Sequence, residues 1–286
     1  MTDKSLASAL VWFRRDLRTS DHAALWHALR SAGRVWCAFV YDSAILDPLP
    51  RADRRVEFIH QCIEALDADL AALGRDHGVR GVRLLVRQGD GAEAVVALAE
   101  QLHVQAVYAN HDDDPYALAR DARVRGALAG RGIALHTSKD HVLFERSEVL
   151  TGSGKPYGVF TPYRTAWLGR LEPFFVKAYP VAKHAAALAP APEGARTRLP
   201  TLAELGFVKT NLDALGIHGG SAAAQALLAD FETRIADYRE AREYPAVKGP
   251  SYLGVHLRFG TVSIRHLAAR ALARAEDRAA RAGAET

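Results

Sequence analysis

Five short apolar runs, each followed by a loop and a stretch of helical periodicity, constrain this chain more than any other feature. They are ALVWF at Ala9–Phe13, VWCAFVY at Val35–Tyr41, VRLLVRQG at Val82–Gly89, VQAVYAN at Val104–Asn110 and IALHTS at Ile133–Ser138. Between them lie AALWHALRSAG, ending at a glycine stop at Gly33, and helical stretches over Arg54–Leu73, Gly91–Leu102 and Asp114–Gly130. Short, nearly continuous apolar runs suit strands buried on both faces, and parallel strands need long crossover connections. The pattern therefore predicts an α/β fold: a doubly wound, parallel, five-stranded Rossmann-like sheet ending near residue 140.

In such a sheet a ligand sits beyond the carboxyl ends of the strands, where the strand order reverses. The loops after Phe13, Tyr41 and Asn110 are the expected rims. The first of them reads RRDLR and carries no GxGxxG, so a dinucleotide fingerprint and a nicotinamide dehydrogenase are not supported.

Composition narrows the reading further. With 286 residues, 49% of them hydrophobic, there is material for one large domain and part of a second. No apolar run approaches the roughly 18 residues of a membrane span. The start, MTDKSLASALVWF, suits a buried first strand better than a signal peptide, which gives a cytoplasmic expectation. The two cysteines, Cys37 and Cys62, lie inside apolar segments without metal-ligand spacing, so no metal site is expected. A net charge of +4 is small and spread along the chain, which permits a polyanionic partner without demanding one.

Beyond residue 140 the character changes. Val176–Pro200 is rich in Ala and Pro and reads as a connector running over the surface. A helix is expected over Ser221–Glu240, capped by Ser221, with Ala224, Leu227, Leu228, Phe231, Ile235 and Tyr238 along one face. Pro245 and Pro250 end it, and a last helix starts at Ser263. The expected organisation is an α/β domain over 1–140, a connector over 141–218 and the start of an all-helical domain over 219–286.

Four ordered blocks resemble one family. LVWFRRDLRTSDHAAL (Leu10–Leu25), NHDDDPYALARD (Asn110–Asp121), GSGKPYGVFTPYRTAW (Gly152–Trp167) and YREAREYPAVKGPSYLGVHLRFGTVSIR (Tyr238–Arg265) resemble the DNA photolyase and cryptochrome family, cut short at the C-terminus. Within the first block, Arg14, Arg15, Asp16 and Arg18 read as an ion-pair network fixing a loop against the helical region. In the third, Tyr157, Phe160, Tyr163 and Trp167 read as core aromatics packing one domain onto the other, with stacking on a base or flavin as the alternative.

The resemblance implies light-driven repair of cyclobutane pyrimidine dimers in DNA by electron transfer from reduced FAD. The implied partner is damaged DNA, with no membrane, and the full-length form is expected to be a monomer. A cryptochrome-type blue-light receptor, or a truncated non-catalytic chromophore-binding module, is the alternative. This stretch taken alone is expected to be inactive, and no catalytic residue is named. By resemblance, Tyr238 touches the flavin phosphates and Arg242 a DNA phosphate. The phosphate-binding turn of relatives, Gly-Thr-Ser-x-Leu-Ser, corresponds to Gly249-Pro250-Ser251-Tyr252-Leu253-Gly254, so Pro250, Ser251, Tyr252, Leu253 and Gly254 are the candidate cofactor residues. Two hydroxyls are missing there and Pro250 lacks an N–H. Relatives also carry an antenna chromophore, a folate or a deazaflavin, and Ala117 stands where folate-binding members have a carboxylate.

Overall fold

The computed structural model describes residues 4–195 and 197–284. In chain order the first part runs β1 (Leu6–Phe13), α1 (Ala23–Ser31), β2 (Ala32–Asp42), α2 (Ser43–Leu46), α3 (Arg54–Asp76), β3 (Leu84–Gly89), α4 (Gly91–Gln101), β4 (Ala106–Asn110), α5 (Pro115–Ala129) and β5 (Ala134–Ser138). All strand pairs are parallel and the order is β3-β2-β1-β4-β5. This is the expected doubly wound sheet, and its order reverses between β1 and β4.

Period-two alternation sorts the strand side chains onto two faces. Ala9, Val11 and Phe13 of β1 join α1 and α3 in one core, where Leu25, Leu29, Phe58, Ile63 and Leu66 are buried. Leu10 and Trp12 join α4 and α5 in the other, with Val95, Leu98, Val124 and Leu128. Aspartates start three of these helices: Asp53, Asp90 and Asp114 accept from the Arg55, Ala92 and Tyr116 amides at 2.8, 2.9 and 3.0 Å. Cys37 and Cys62 are free and buried, and burial pushes the Cys62 thiol up to about 12.

Several local expectations are corrected. Gly33 lies inside β2 and stops no helix; a Cβ there would approach the Ala7 carbonyl oxygen at 3.1 Å, so the residue serves close strand packing. The connector is not confined to the surface. Its Val181, Ala185, Ala187 and Leu188 are buried, and Ala189 donates to the Val35 carbonyl at 2.9 Å, beside the part of β2 that β3 does not cover.

After α6 (Phe160–Arg170) the chain continues through three 3₁₀ turns to α7 (Ser221–Arg234), α8 (Tyr238–Ala241), α9 (Gly254–Arg258) and α10 (Ile264–Ala284). Ser221 does not cap α7; Gly220 occupies the cap and the buried Ser221 hydroxyl has no partner. The helix expected over 221–240 breaks into a 3₁₀ turn at Ile235–Asp237. That break brings the rings of Phe231 and Tyr238 to 5.7 Å, whereas seven residues of straight helix would separate them by about 10 Å along the axis. Nor does α6 seat its aromatics in a core. No residue of it is buried, Phe160 is 72% exposed, Tyr163 meets only the nearby Tyr157 ring at 6.0 Å, and Trp167 meets Phe144 edge-on at 5.6 Å. Among the described residues, no helix is long and apolar enough to cross a membrane.

One cluster fastens the two parts together. Arg265, just inside α10, donates to Asp21 at 2.9 Å and to Asp140 at 2.7 Å, while Arg18 donates to the other Asp140 oxygen at 2.6 Å. All four side chains are buried. Burial opposes charge on Asp140, but Arg18, His22 and Arg265 outweigh it and hold the carboxyl down to about 2.

Asp140→Asn would leave two guanidiniums buried with one carboxylate, and a loss of about 3–5 kcal/mol in urea unfolding is expected. The acid profile should have two stages. His256 is buried against Phe58, and burial pushes it down to about 4, so its neutral form stabilises the fold. That contribution is complete above the ordinary histidine value of 6.5 and is lost as pH falls toward 4. The Asp140 contribution is complete above 3.8 and is lost as pH falls through about 2. Melting temperatures followed from pH 7 to 2 should show both stages, with the first reduced in His256→Gln.

Candidate functional site

The carboxyl ends of β1, β2 and β4 diverge at the reversal of strand order, and the loops that leave them are built from short polar segments. Asp16 accepts from the Arg14 amide at 2.7 Å and lies 3.0 Å from His22. Burial opposes its ionisation, but the His22 ring beside it more than compensates and holds its carboxyl below the usual range. Asn110, the last residue of β4, donates to Asp16 at 2.7 Å and accepts from the Ala24 amide at 3.0 Å, so it ties β4 to the start of α1. The expected ion-pair network of the first loop is present: Arg14 pairs with Asp121 at 2.6 Å, Arg15 with Asp112 at 2.9 Å and Arg18 with Asp140.

These loops surround a cavity of about 500 Å³. Its apolar wall comes from Trp12, Phe39, Tyr41, Leu46, Val56 and Ile59. Two guanidiniums contact the Trp12 ring, Arg14 and Arg120 at 4.8 and 4.7 Å from its centroid. At the polar end, Asp42 accepts from the Tyr116 hydroxyl at 2.8 Å and lies 3.5 Å from Arg120. Burial and then this hydrogen bond to a carboxylate push the Tyr116 phenol up to about 12. Gly91 opens α4 beside Asp42, and a Cβ on it would fall 2.4 Å from the Asp42 Oδ2. Arg15, Asp112, Asp114 and the late residues Arg258 and Phe259 complete the lining.

The three loops expected as rims do frame this cavity, and Ala117, buried, is among its lining residues. Asp42, Tyr116, Arg120, Arg258 and Phe259 were not among the residues singled out. Asp42 had a signal, an ionisable residue immediately after a buried strand. Arg258 and Phe259 had none, because their place depends on the chain folding back from the far end. In the loop after β4, Asp112 and Asp114 stand at the cavity, Asp113 pairs with Arg146 at 2.8 Å, and His111 lies between Glu145 and Thr137. Among the described residues, no group of His, Cys, Asp or Glu is placed to hold a metal ion.

The residues singled out in the late part of the chain form a second locus. Gly249 packs so tightly on α8 that a Cβ would lie 2.5 Å from the Ala241 carbonyl carbon, and Arg234 donates to the Lys248 and Gly249 carbonyls at 2.6 and 2.8 Å. Tyr238 is exposed with Arg242 5.6 Å from its ring, and Arg242 pairs with Glu243 at 2.9 Å. Pro250 is exposed, and the Ser251 hydroxyl accepts from the Leu253 amide at 3.4 Å. Tyr252 adopts a left-handed φ of 56° and is exposed, Leu253 is buried, and Gly254 opens α9. All seven residues thus lie in and between α8 and the start of α9, whose other end reaches the cavity.

Gly91→Ala tests the cavity's polar end. Alanine in a helix normally stabilises relative to glycine by about 1 kcal/mol. Here, displacement of Asp42 is expected to cost about 1–3 kcal/mol instead, read as a lower melting temperature.

The family profile described as DNA photolyase matches residues 9–189. The chain is 34% identical over 284 residues to a deoxyribodipyrimidine photo-lyase of Synechococcus sp., covering 95% of this chain and 56% of that protein. It is also 34% identical over 258 residues to an uncharacterized 31.6 kDa protein of another Synechococcus strain, covering 90% of this chain and 86% of that one. Among solved structures, a bacterial class III photolyase from Agrobacterium tumefaciens superposes with a TM-score of 0.77 at 26% identity, covering 92% of this chain and 52% of that one. The chain therefore spans little more than half of the photolyases it matches.

Proposed function

Because the chain belongs to the DNA photolyase family, we propose that it serves light-driven repair of cyclobutane pyrimidine dimers, and that its cavity at the strand-order reversal holds an antenna chromophore. The observation that carries this reading is the cavity itself. Its volume of about 500 Å³ falls in the roughly 300–1,000 Å³ range of small-molecule sites, and its wall is apolar with one polar end. A flat tricyclic chromophore of the flavin or deazaflavin kind suits it: the aromatic wall would pack against the rings, and Asp42, Tyr116 and Arg120 would meet polar ring substituents. A folate suits it less, since Ala117 offers no carboxylate.

The second locus is the proposed site for the phosphates of FAD. The Tyr238 hydroxyl, the Ser251 hydroxyl and the amides of the turn through Gly254 are the donor set. Reduced FAD supplies, when bound, the electron that opens the dimer. Arg242, exposed, paired with Glu243 and stacked on Tyr238, would exchange these neighbours for a DNA phosphate. Exposed Phe160, Phe174, Tyr244 and Tyr252 suit coverage by further helices, in keeping with the greater length of the relatives.

The test is an absorption spectrum of the purified chain after separate incubation with riboflavin, a 5-deazariboflavin, a reduced folate and FAD, each followed by removal of the excess. Retention of one tricyclic chromophore per chain is expected, with quenching of Trp12 fluorescence and at least tenfold weaker retention in Asp42→Ala. Failure to retain any tricyclic compound would rule out the cavity as an antenna site.

A further inference from the structure

The cavity does not belong to the α/β part alone. Arg258 and Phe259 form its last wall, and they arrive on a strap, residues 254–265, that folds back from the end of the chain. The strap is held chiefly by the loop after β1. Leu17 donates from its amide to the Phe259 carbonyl at 3.1 Å, Arg18 to the Gly260 carbonyl at 3.0 Å, and Arg15 to the Arg258 carbonyl at 3.3 Å. The approach is so close that only glycine fits at residue 260: its φ is 64°, and a Cβ would fall 2.2 Å from the Arg15 carbonyl oxygen. Ser263 bonds Asp21, and Arg265 completes the latch on Asp21 and Asp140.

Before the strap, residues 242–248 are exposed throughout, and that stretch is tied down at its end, where Arg234 donates to the Lys248 and Gly249 carbonyls. Arg14 and Arg15 line the same cavity from the loop that grips the strap. A ligand in the cavity thus touches both the loop and the strap, and it gains those contacts only while the two are docked. Any ligand that binds one state better than another shifts the equilibrium toward it.

We propose that cavity occupancy and strap docking are energetically coupled: a bound chromophore locks residues 254–265 onto the loop after β1, and an unlatched strap lowers affinity for the chromophore. This rests on the reading of the cavity as a tricyclic chromophore site. By reciprocity each event strengthens the other by the same factor, and couplings of this kind are commonly about 5- to 150-fold.

The experiment uses the full chain with riboflavin as the probe. Amide exchange over residues 254–265 is measured with and without riboflavin, and riboflavin affinity is measured in wild type, Arg265→Lys and Gly260→Ala. Coupling predicts at least fivefold slower exchange of the strap on binding, and at least fivefold weaker binding in both variants, neither of which removes a cavity-lining side chain. The exchange arm needs no variant, so it decides even where a substitution prevents folding. Riboflavin that binds wild type but leaves strap exchange unchanged overturns the coupling and leaves the chromophore reading standing. Wild type that binds neither riboflavin nor the 5-deazariboflavin overturns both.

Discussion

Two carboxylates and two guanidiniums, taken together out of water, hold the architecture in one piece. Isolated, any one of them would be costly to bury; as a closed set of Asp21, Asp140, Arg18 and Arg265 each charge faces an opposite one at 2.6 to 2.9 Å. The set draws on three separate parts of the chain, so it forms only when the loop after β1, the segment after β5 and the start of α10 meet. Asp21 takes a left-handed φ of 47°, which aspartate tolerates better than most side chains, and its main-chain oxygen joins the set through Arg18 and Arg265. Such a cluster adds little net stability over an apolar replacement, but it tolerates only one docking geometry.

Much of the sheet was legible from residue order. Runs such as VWCAFVY have no polar positions to spare for a solvent face, so burial on both sides, and hence parallel pairing with crossover helices, follows from them directly. The loops after Phe13, Tyr41 and Asn110 could then be named as rims before any coordinate, although the strand order itself could not. Aspartates at 53, 90 and 114 also sit where helix starts need an acceptor, and each one does cap.

What could not be read has a common cause: it depends on contacts across long separations. Gly33 looks like a helix stop in isolation, yet its lack of a side chain serves the neighbouring strand. The Ala- and Pro-rich connector looks like surface chain because its apolar residues are small, but small residues are what fit against the uncovered end of β2. The aromatics of α6 have the spacing of a core helix, and spacing cannot reveal whether a partner is present to bury them. Tyr238, Arg242 and the turn from Pro250 to Gly254 were marked through family resemblance, and their proximity in space adds geometry that no local pattern carried.

The long sequence reach of the cavity has a consequence for biosynthesis. Its walls extend from Trp12 to Phe259, and the latch that seats the last wall is not complete until Arg265. The five strands and their helices can assemble soon after they leave the ribosome, since three of the four strand pairings join successive strands. The pocket between them nevertheless stays open on one side until nearly the whole of this stretch has been made. Closure of the cavity is therefore a late event, and a nascent chain stalled before residue 259 would have a finished sheet and an unfinished cavity wall.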